Sequence, residues 1–221
     1  SLPNLETKFV AANSLIGLDK PIQLSLQATE LIENESELAQ IRHKLFSART
    51  SETKRKYRSL DKQKRGEIRA LLVQSGWSNT TASALAAWDP YDQNTSAPFF
   101  DPEWMLGVRR GFDIVIANPP YIGEKGHKEI FAPVKQSTLK QFYMGKMDFF
   151  YFFFHLALDL SNFNGIVAFI TTNYYPTATG ALKLRQDFHD RATIIKLINL
   201  NELKIFESAL GQHNMITILE K

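Results

Sequence analysis

The chain has 221 residues, 44% of them hydrophobic, and a formal charge of +3. That is enough to bury a real core as one large domain or as a domain with a sizeable insertion, and too small a charge excess to mark a nucleic-acid binder by itself. It has no cysteine, which excludes disulfides, thiolate zinc sites and thiol nucleophiles and suits a reducing compartment. No metal ligand set is read. The amino terminus SLPNLETKF has no basic stretch followed by an apolar run, and the most apolar run, Phe149 to Leu160, carries His155 and Asp159. That run is too short for a membrane span, so neither a signal peptide nor a membrane anchor is expected, and a cytoplasmic protein is.

In chain order, KFVAA (8–12) reads as a short strand ending at Asn13 and Ser14, followed by a loop punctuated by Gly17 and Pro21. From Gln23 to about Gln74, Leu24, Leu31, Leu38, Ile41 and Leu45 recur at helical spacing, which predicts two long helices in an antiparallel hairpin. The second half of this stretch is crowded with Lys54, Arg55, Lys56, Arg58, Lys62, Lys64, Arg65 and Arg69. Charged helix faces are commonplace, so the run reads first as a solvated face and only second as a surface that tracks phosphates. Residues 76 to 111, with DPYDQN and DPEWM, read as a connector with one short helix.

Strand signals return at FDIVIA (112–117), GIVAFITT (165–172), IIKLINL (194–200) and MITILEK (215–221). Helices around KMDFFYFFFHLALDL and TGALKLRQDFHDRA separate the first three. Alternation of this kind predicts an α/β fold whose sheet is mostly parallel, with helices on both faces and an antiparallel last strand reached through a loop. The predicted division is residues 1–20 and 112–221 as one domain, with 21–111 as a helical insertion and connector.

The first of these strands runs straight into Asn118, Pro119, Pro120 and Tyr121. In open α/β sheets ligands sit beyond the carboxyl ends of strands, which is where this corner falls. Two successive prolines stop the strand and stiffen the backbone of Asn118 and Pro119. The Asn118 side-chain carbonyl and the Pro119 main-chain carbonyl then offer two acceptors close together, which suits a group with two hydrogens, an exocyclic amine. An amine conjugated to a ring is a poor nucleophile, and fixed acceptors favour the geometry in which its lone pair leaves the ring plane. Tyr121 supplies a flat face for stacking, worth about 1–3 kcal/mol per base and comparable to the cost of extruding one from a duplex. A chance Asn-Pro-Pro-Tyr in a chain of this size has odds on the order of one in a thousand from average composition. Asp148, which opens the aromatic helix, reads as an N-terminal cap.

FDIVIANPPYI resembles the catalytic motif of amino-methyltransferases that use S-adenosylmethionine, and the chain as a whole resembles the adenine-specific DNA methyltransferases of the fused type IIG, Eco57I-like restriction-modification family. The resemblance implies a partial Rossmann-like methyltransferase sheet with a long helical insertion, S-adenosylmethionine as cofactor, and double-stranded DNA with a flipped adenine as partner. VAANSLIGL is similar to the motif ending the family's third strand, so Asn13 matches a cofactor-binding position. GKMDFFYFFFHLALDLSNFNGIVAFITTNYY is similar to the helix and strand after the catalytic corner, where Phe153 matches an aromatic beside the cofactor. In a run of six consecutive aromatics most must be core, so that role competes with packing. ELKIFESALGQHNMITILEK is similar to a late hairpin, which assigns Phe206 to the far face of the flipped base.

The glycine-rich cofactor turn typical of the family has no counterpart here, so the expectation is a fragment that depends on the remaining domains of a parent chain for the cofactor motif, target recognition and any nuclease. Such a fragment is expected to bind cofactor weakly and to show no turnover, with the NPPY strand left as a sheet edge open to pairing. Two readings compete. A release-factor glutamine methyltransferase would use NPPY on a similarly poor nucleophile, and a non-catalytic DNA-binding module would show salt-dependent duplex affinity without any cofactor effect.

Overall fold

The computed structural model describes residues 4–18, 20–21, 28–92, 94–201, 203, 205 and 213–221. The chain divides into two units, residues 1–108 and 109–221.

In the first unit the apolar spacing becomes α1 (Ala28–Phe46) and α2 (Ser51–Gln74), an antiparallel pair. Thr50 sets where α2 begins, because its side-chain oxygen accepts from the N–H of Thr53 at 3.1 Å and satisfies one donor of the first turn. The connector holds two short helices where the sequence reading expected one. They are α3 (Asn79–Ala87), capped by Ser78 on the N–H of Thr81, and α4 (Pro102–Leu106), capped by Asp101 on that of Trp104 with proline in the first turn. Both caps are legible as Ser-x-x-Thr and Asp-Pro in the chain. Leu31, Leu38, Ile68, Leu72, Leu85, Trp88 and Trp104 form the core.

Residues 8–12 do not make the expected strand. They carry an isolated parallel bridge, Ala12 to Ala97, bounded by the hydrogen bonds Ala97 N–H to Ala11 O (2.8 Å) and Asn13 N–H to Ala97 O (2.9 Å). Past the bridge the two main chains meet again only through the Phe100 N–H, which donates to the Ile16 carbonyl at 2.8 Å among the described residues.

The second unit holds a four-stranded sheet in the order β1 (Phe112–Ala117), β2 (Ser161–Thr172), β4 (Asn214–Glu220), β3 (Thr193–Asn199). β1 and β2 are parallel, with Ala117 opposite Phe169, while β4 runs antiparallel to both β2 and β3. The α/β class and the antiparallel last strand agree with the sequence reading. Between β1 and β2 the chain makes a short α5 (Lys128–Phe131) and then α6 (Phe150–Leu160), and α7 (Leu182–Arg191) links β2 to β3.

The expected cover of helices on both faces is corrected. Both crossovers move the same way across the sheet, and right-handed connections in one direction place their helices on one side. α6 packs on β1 and β2, and α7 on β3 and α6. Accordingly Val167, Phe169, Thr171, Met215, Thr217 and Leu219 are buried, whereas the alternate residues Ile166, Ala168, Ile170, Ile216 and Ile218 are half-buried, and on the edge strand Ile114 and Ile116 are 61% and 77% exposed. The period of two along each strand separates a packed face from an open one.

Behind the packed face lies an aromatic core. Phe150, Phe152 and Phe154 on α6 have no exposed surface, and the Phe154 ring meets Phe169 (4.6 Å), Phe188 (5.1 Å) and Tyr175 (5.8 Å) between centroids. Gly180, before α7, sits where an added Cβ would lie 1.9 Å from the Lys146 carbonyl oxygen, so only glycine allows the two backbones to meet.

Candidate active site

β1 ends at Ala117 and the chain turns at Asn118, which is exposed, and Pro119, which is buried. Tyr121 folds back over this tip. Its hydroxyl lies 2.6 Å from Asn118 Oδ1 and 2.9 Å from the Ile170 carbonyl oxygen, so one proton serves two acceptors, one on each of two neighbouring strands. The register makes this possible, because Ile170 is the residue after the one paired with Ala117. The Tyr121 ring packs edge-on against Phe150 at 6.0 Å. Partial burial pushes the Tyr121 phenol up from its ordinary value, so it remains a neutral donor near pH 7.

The segment after the corner is clipped to the start of α6. Phe149 N–H donates to Ile122 O at 2.8 Å, Glu124 N–H donates to Met147 O at 2.9 Å, and Gly123 bridges Asp148. The excursion between the two sides of this clip is closed at its base by Glu124, a buried carboxylate that accepts from the Tyr143 hydroxyl at 2.5 Å and from Lys135 at 3.2 Å. Burial pushes the Glu124 carboxyl up, but those two hydrogen bonds outweigh it and hold the group below the usual range. Lys183 of α7 adds bonds to the Gln141 and Tyr143 carbonyls.

Asp148 does not cap α6 as expected. The helix starts at Phe150 with no side-chain cap, and the Asp148 carboxylate instead lies 3.4 Å from the Tyr151 hydroxyl, with burial raising its pKa. Its main-chain carbonyl, rather than its side chain, meets the start of the helix, accepting from the Tyr151 N–H at 3.2 Å.

Asn118, Pro119 and Tyr121 thus come together with Ile170 and Phe150, two partners that the sequence reading missed. The first is a main-chain carbonyl and leaves no mark in the sequence. The second could have been found from the aromatic run, since Phe150 is the residue of α6 nearest the clip. Phe153 is half-buried one turn further on, edge-to-face with Phe149 at 5.8 Å, while Phe150, Phe152 and Phe154 beside it are fully buried. Asn13 belongs to the first unit, where its backbone is held by Ala97 and Ile16 and its side chain is exposed. Phe206 lies outside the described residues. Among those residues no group of three His, Asp or Glu side chains is placed to hold a metal ion, and no helix is long and apolar enough to cross a membrane.

The site thus joins a rigid amide and a phenol at the end of β1, on an α/β sheet whose last strand runs antiparallel. The family model described as Eco57I restriction-modification methylase matches residues 10–206, and the chain belongs to that family. Over 103 residues, 47% of this chain, it is 32% identical to the adenine-specific methyltransferase BrxX of Escherichia coli O9:H4 (strain HS). Over 154 residues, 69% of this chain, it is 27% identical to the type II methyltransferase M.BanIII of Aneurinibacillus aneurinilyticus. The matches span 8% and 26% of those two proteins. Among solved structures, a class I S-adenosylmethionine-dependent methyltransferase from Listeria monocytogenes aligns over 63% of this chain and 41% of its own, at 18% identity and a TM-score of 0.37.

Proposed function

We propose that this chain is the base-presenting part of a DNA methyltransferase of a type II restriction-modification enzyme, which modifies the exocyclic amine of an adenine flipped out of the duplex. The observation that carries the reading is the Asn118–Tyr121 corner, with its amide oxygen held 2.6 Å from the phenol at the tip of β1. A carbonyl oxygen has two lone pairs, so Asn118 Oδ1 can keep the phenol's hydrogen bond and still accept one from an amine. The Pro119 carbonyl takes the second hydrogen. Together they hold the nitrogen so that its lone pair points away from the ring, and the chain's contribution is placement rather than proton abstraction. Tyr121, braced by Phe150 and tied to Ile170, offers a fixed ring face on which the extruded base stacks. Phe206 is assigned to the opposite face of that ring.

S-adenosylmethionine, when bound, supplies the electrophilic methyl group. Phe153, whose ring is half-buried on a helix where the neighbouring Phe150, Phe152 and Phe154 are fully enclosed, is the residue of this unit assigned to the cofactor. Support for adenine as the base comes from the name of one relative, which is adenine-specific, and support for the type II system from the name of the other. The rest of the parent protein and duplex DNA are the partners this reading requires.

The test is methyl transfer from labelled S-adenosylmethionine by the parent protein, offered duplex DNA and release factor side by side. Label is expected on adenine N6, and Asn118→Ala is expected to lower the rate by about 10²-fold or more, as removal of one preorganised partner of a reacting group does elsewhere. Label on protein glutamine, or an Asn118→Ala variant with the parent's rate, overturns the reading.

A further inference from the structure

The α1–α2 turn carries the chain's whole excess of positive charge. Residues 43–58 contain Lys44, Arg49, Lys54, Arg55, Lys56 and Arg58 against the single acid Glu52, whereas the full chain is only +3, so the remainder carries more acids than bases. Three features separate this cluster from an ordinary solvated face.

The first is pairing. Further along α2 the basic side chains find carboxylates: Lys64 bonds Glu37 and Glu67 at 2.7 and 2.6 Å, and Arg65 bonds Asp61 at 2.7 Å. At the turn, Arg58 reaches Glu6 at 2.8 Å, but among the described residues Lys44, Arg49, Lys54, Arg55 and Lys56 form no ion pair. The second is position. Lys54, Arg55 and Lys56 occupy the first two turns of α2, the end where the helix dipole is positive and cations are unfavourable, so their presence is not accounted for by helix stability. The third is spacing. Arg55, Lys62 and Arg69 are exposed and recur every seventh residue, about 10 Å apart along one side of the helix, and the residues between them on that side are Ser59 and Gly66, the latter with nothing within 4 Å of an added Cβ. A long rigid anion can approach that side closely.

We propose that the α1–α2 turn and the adjoining side of α2 bind the phosphate backbone of double-stranded DNA, a contact separate from the NPPY corner. A duplex presents a phosphate about every 1.7 Å along its axis, so each cation of a row spaced about 10 Å has a phosphate within reach, and Arg69, the last of the row, is held in place by bonds to Ser83 and Asn79. The cluster contacts phosphates only, so the binding is independent of base sequence. The choice of partner rests on the DNA reading above, whereas the demand for a polyanion rests on the cluster alone.

The experiment measures binding of the 221-residue chain to a short fluorescent duplex across a potassium chloride series. For the variant Arg49→Gln/Arg55→Gln/Lys56→Gln, the slope of log K against log salt is expected to shrink by about two to three, close to 0.9 for each contact removed, and affinity at low salt to fall on the order of tenfold. Lys196→Gln, an exposed change on β3, is expected to leave both unchanged. All three substitutions are of exposed side chains, and an unaltered circular-dichroism spectrum verifies the fold. An unchanged slope in the triple variant overturns the proposal, as does binding by the wild-type chain to phosphatidylglycerol vesicles in preference to the duplex. Asn118→Ala is expected to keep the wild-type slope, so failure of the methylation reading and failure of this one are told apart.

Discussion

In the first unit the helices meet around Asp61, a carboxylate with no exposed surface that accepts from Arg42 Nε at 2.8 Å and Arg65 Nε at 2.7 Å. Of their other donors, Arg65 gives two to the Ala86 and Trp88 carbonyls and Arg42 one to the Trp104 carbonyl, while Arg42 Nη2 has no partner among the described residues. Arg42 also lies over the rings of Trp88 and Trp104 at 5.3 and 5.9 Å. In the second unit α6 and α7 meet around Phe154, whose ring packs against those of Phe169, Tyr175 and Phe188. One core depends on the identity of a charge and the other on a volume. A buried ion set is stable only while every member is present, because removing one leaves the others unpaired in a low-dielectric site. A ring cluster degrades in proportion to what is removed.

Three measurements would break or sharpen that contrast. The largest effect is expected from Asp61→Ala, which strands two cations; a loss of about 3–5 kcal/mol, towards the upper end, should appear in urea unfolding followed by tryptophan fluorescence. That signal reports the first unit alone, since the three tryptophans are Trp77, Trp88 and Trp104. Phe154→Ala is expected to cost about 3–5 kcal/mol, but Phe154→Leu only about 1–2 kcal/mol, because a branched aliphatic refills much of the space. Asp61→Asn has no such forgiving counterpart, and if it proved as mild as Phe154→Leu the distinction between the two cores would fail.

The smallest effect concerns the His155–Asp187 pair between α6 and α7. His155 has no exposed surface, its Nδ1 lies 2.6 Å from Asp187 Oδ2, Phe142 stacks on its ring at 3.7 Å, and its Nε2 has no partner among the described residues. Protonation would place a second N–H where nothing accepts it, and burial therefore lowers the His155 pKa below its ordinary 6.5 despite Asp187. For Asp187 burial acts upwards, but hydrogen bonds from His155 and Arg191 prevail and hold it below 3.8. Asp159 and Arg191 complete the set that faces the pair. With both folded values depressed, the unfolded chain binds more protons on acidification. Stability is then complete above about pH 6.5, is lost as pH falls towards the folded value of His155, and is lost again below 3.8 as Asp187 titrates. The urea midpoint is expected to be lower at pH 5.5 than at pH 7.5, and His155→Gln should flatten that difference.

Local patterns carried much of the architecture. FDIVIA coincides with β1, the aromatic run is α6 and the core beneath the sheet, and the leucine spacing gives the α1–α2 pair. Each of these depends on residues a few positions apart, whose apolar period reports which side of an element is buried. The NPPY corner was legible for the same reason, since proline acts on its own backbone and its immediate neighbour.

What depended on distant residues was not legible. That KFVAA makes a single bridge rather than a strand depended on its partner Ala97, which lies far along the chain from Ala12. That Arg65 turns inward while Arg55, in the same basic run, stays in solvent was decided by where Asp61 and the Ala86 and Trp88 carbonyls lie. The one-sided helix cover came from the direction of two crossovers, and the hold of Tyr121 on Ile170 came from strand register. Sequence by itself determined which residues form each element and which face is apolar, because those follow from backbone sterics and short-range period. Only the tertiary structure decided which polar groups meet, because hydrogen-bond partners are selected by distances that no local pattern encodes.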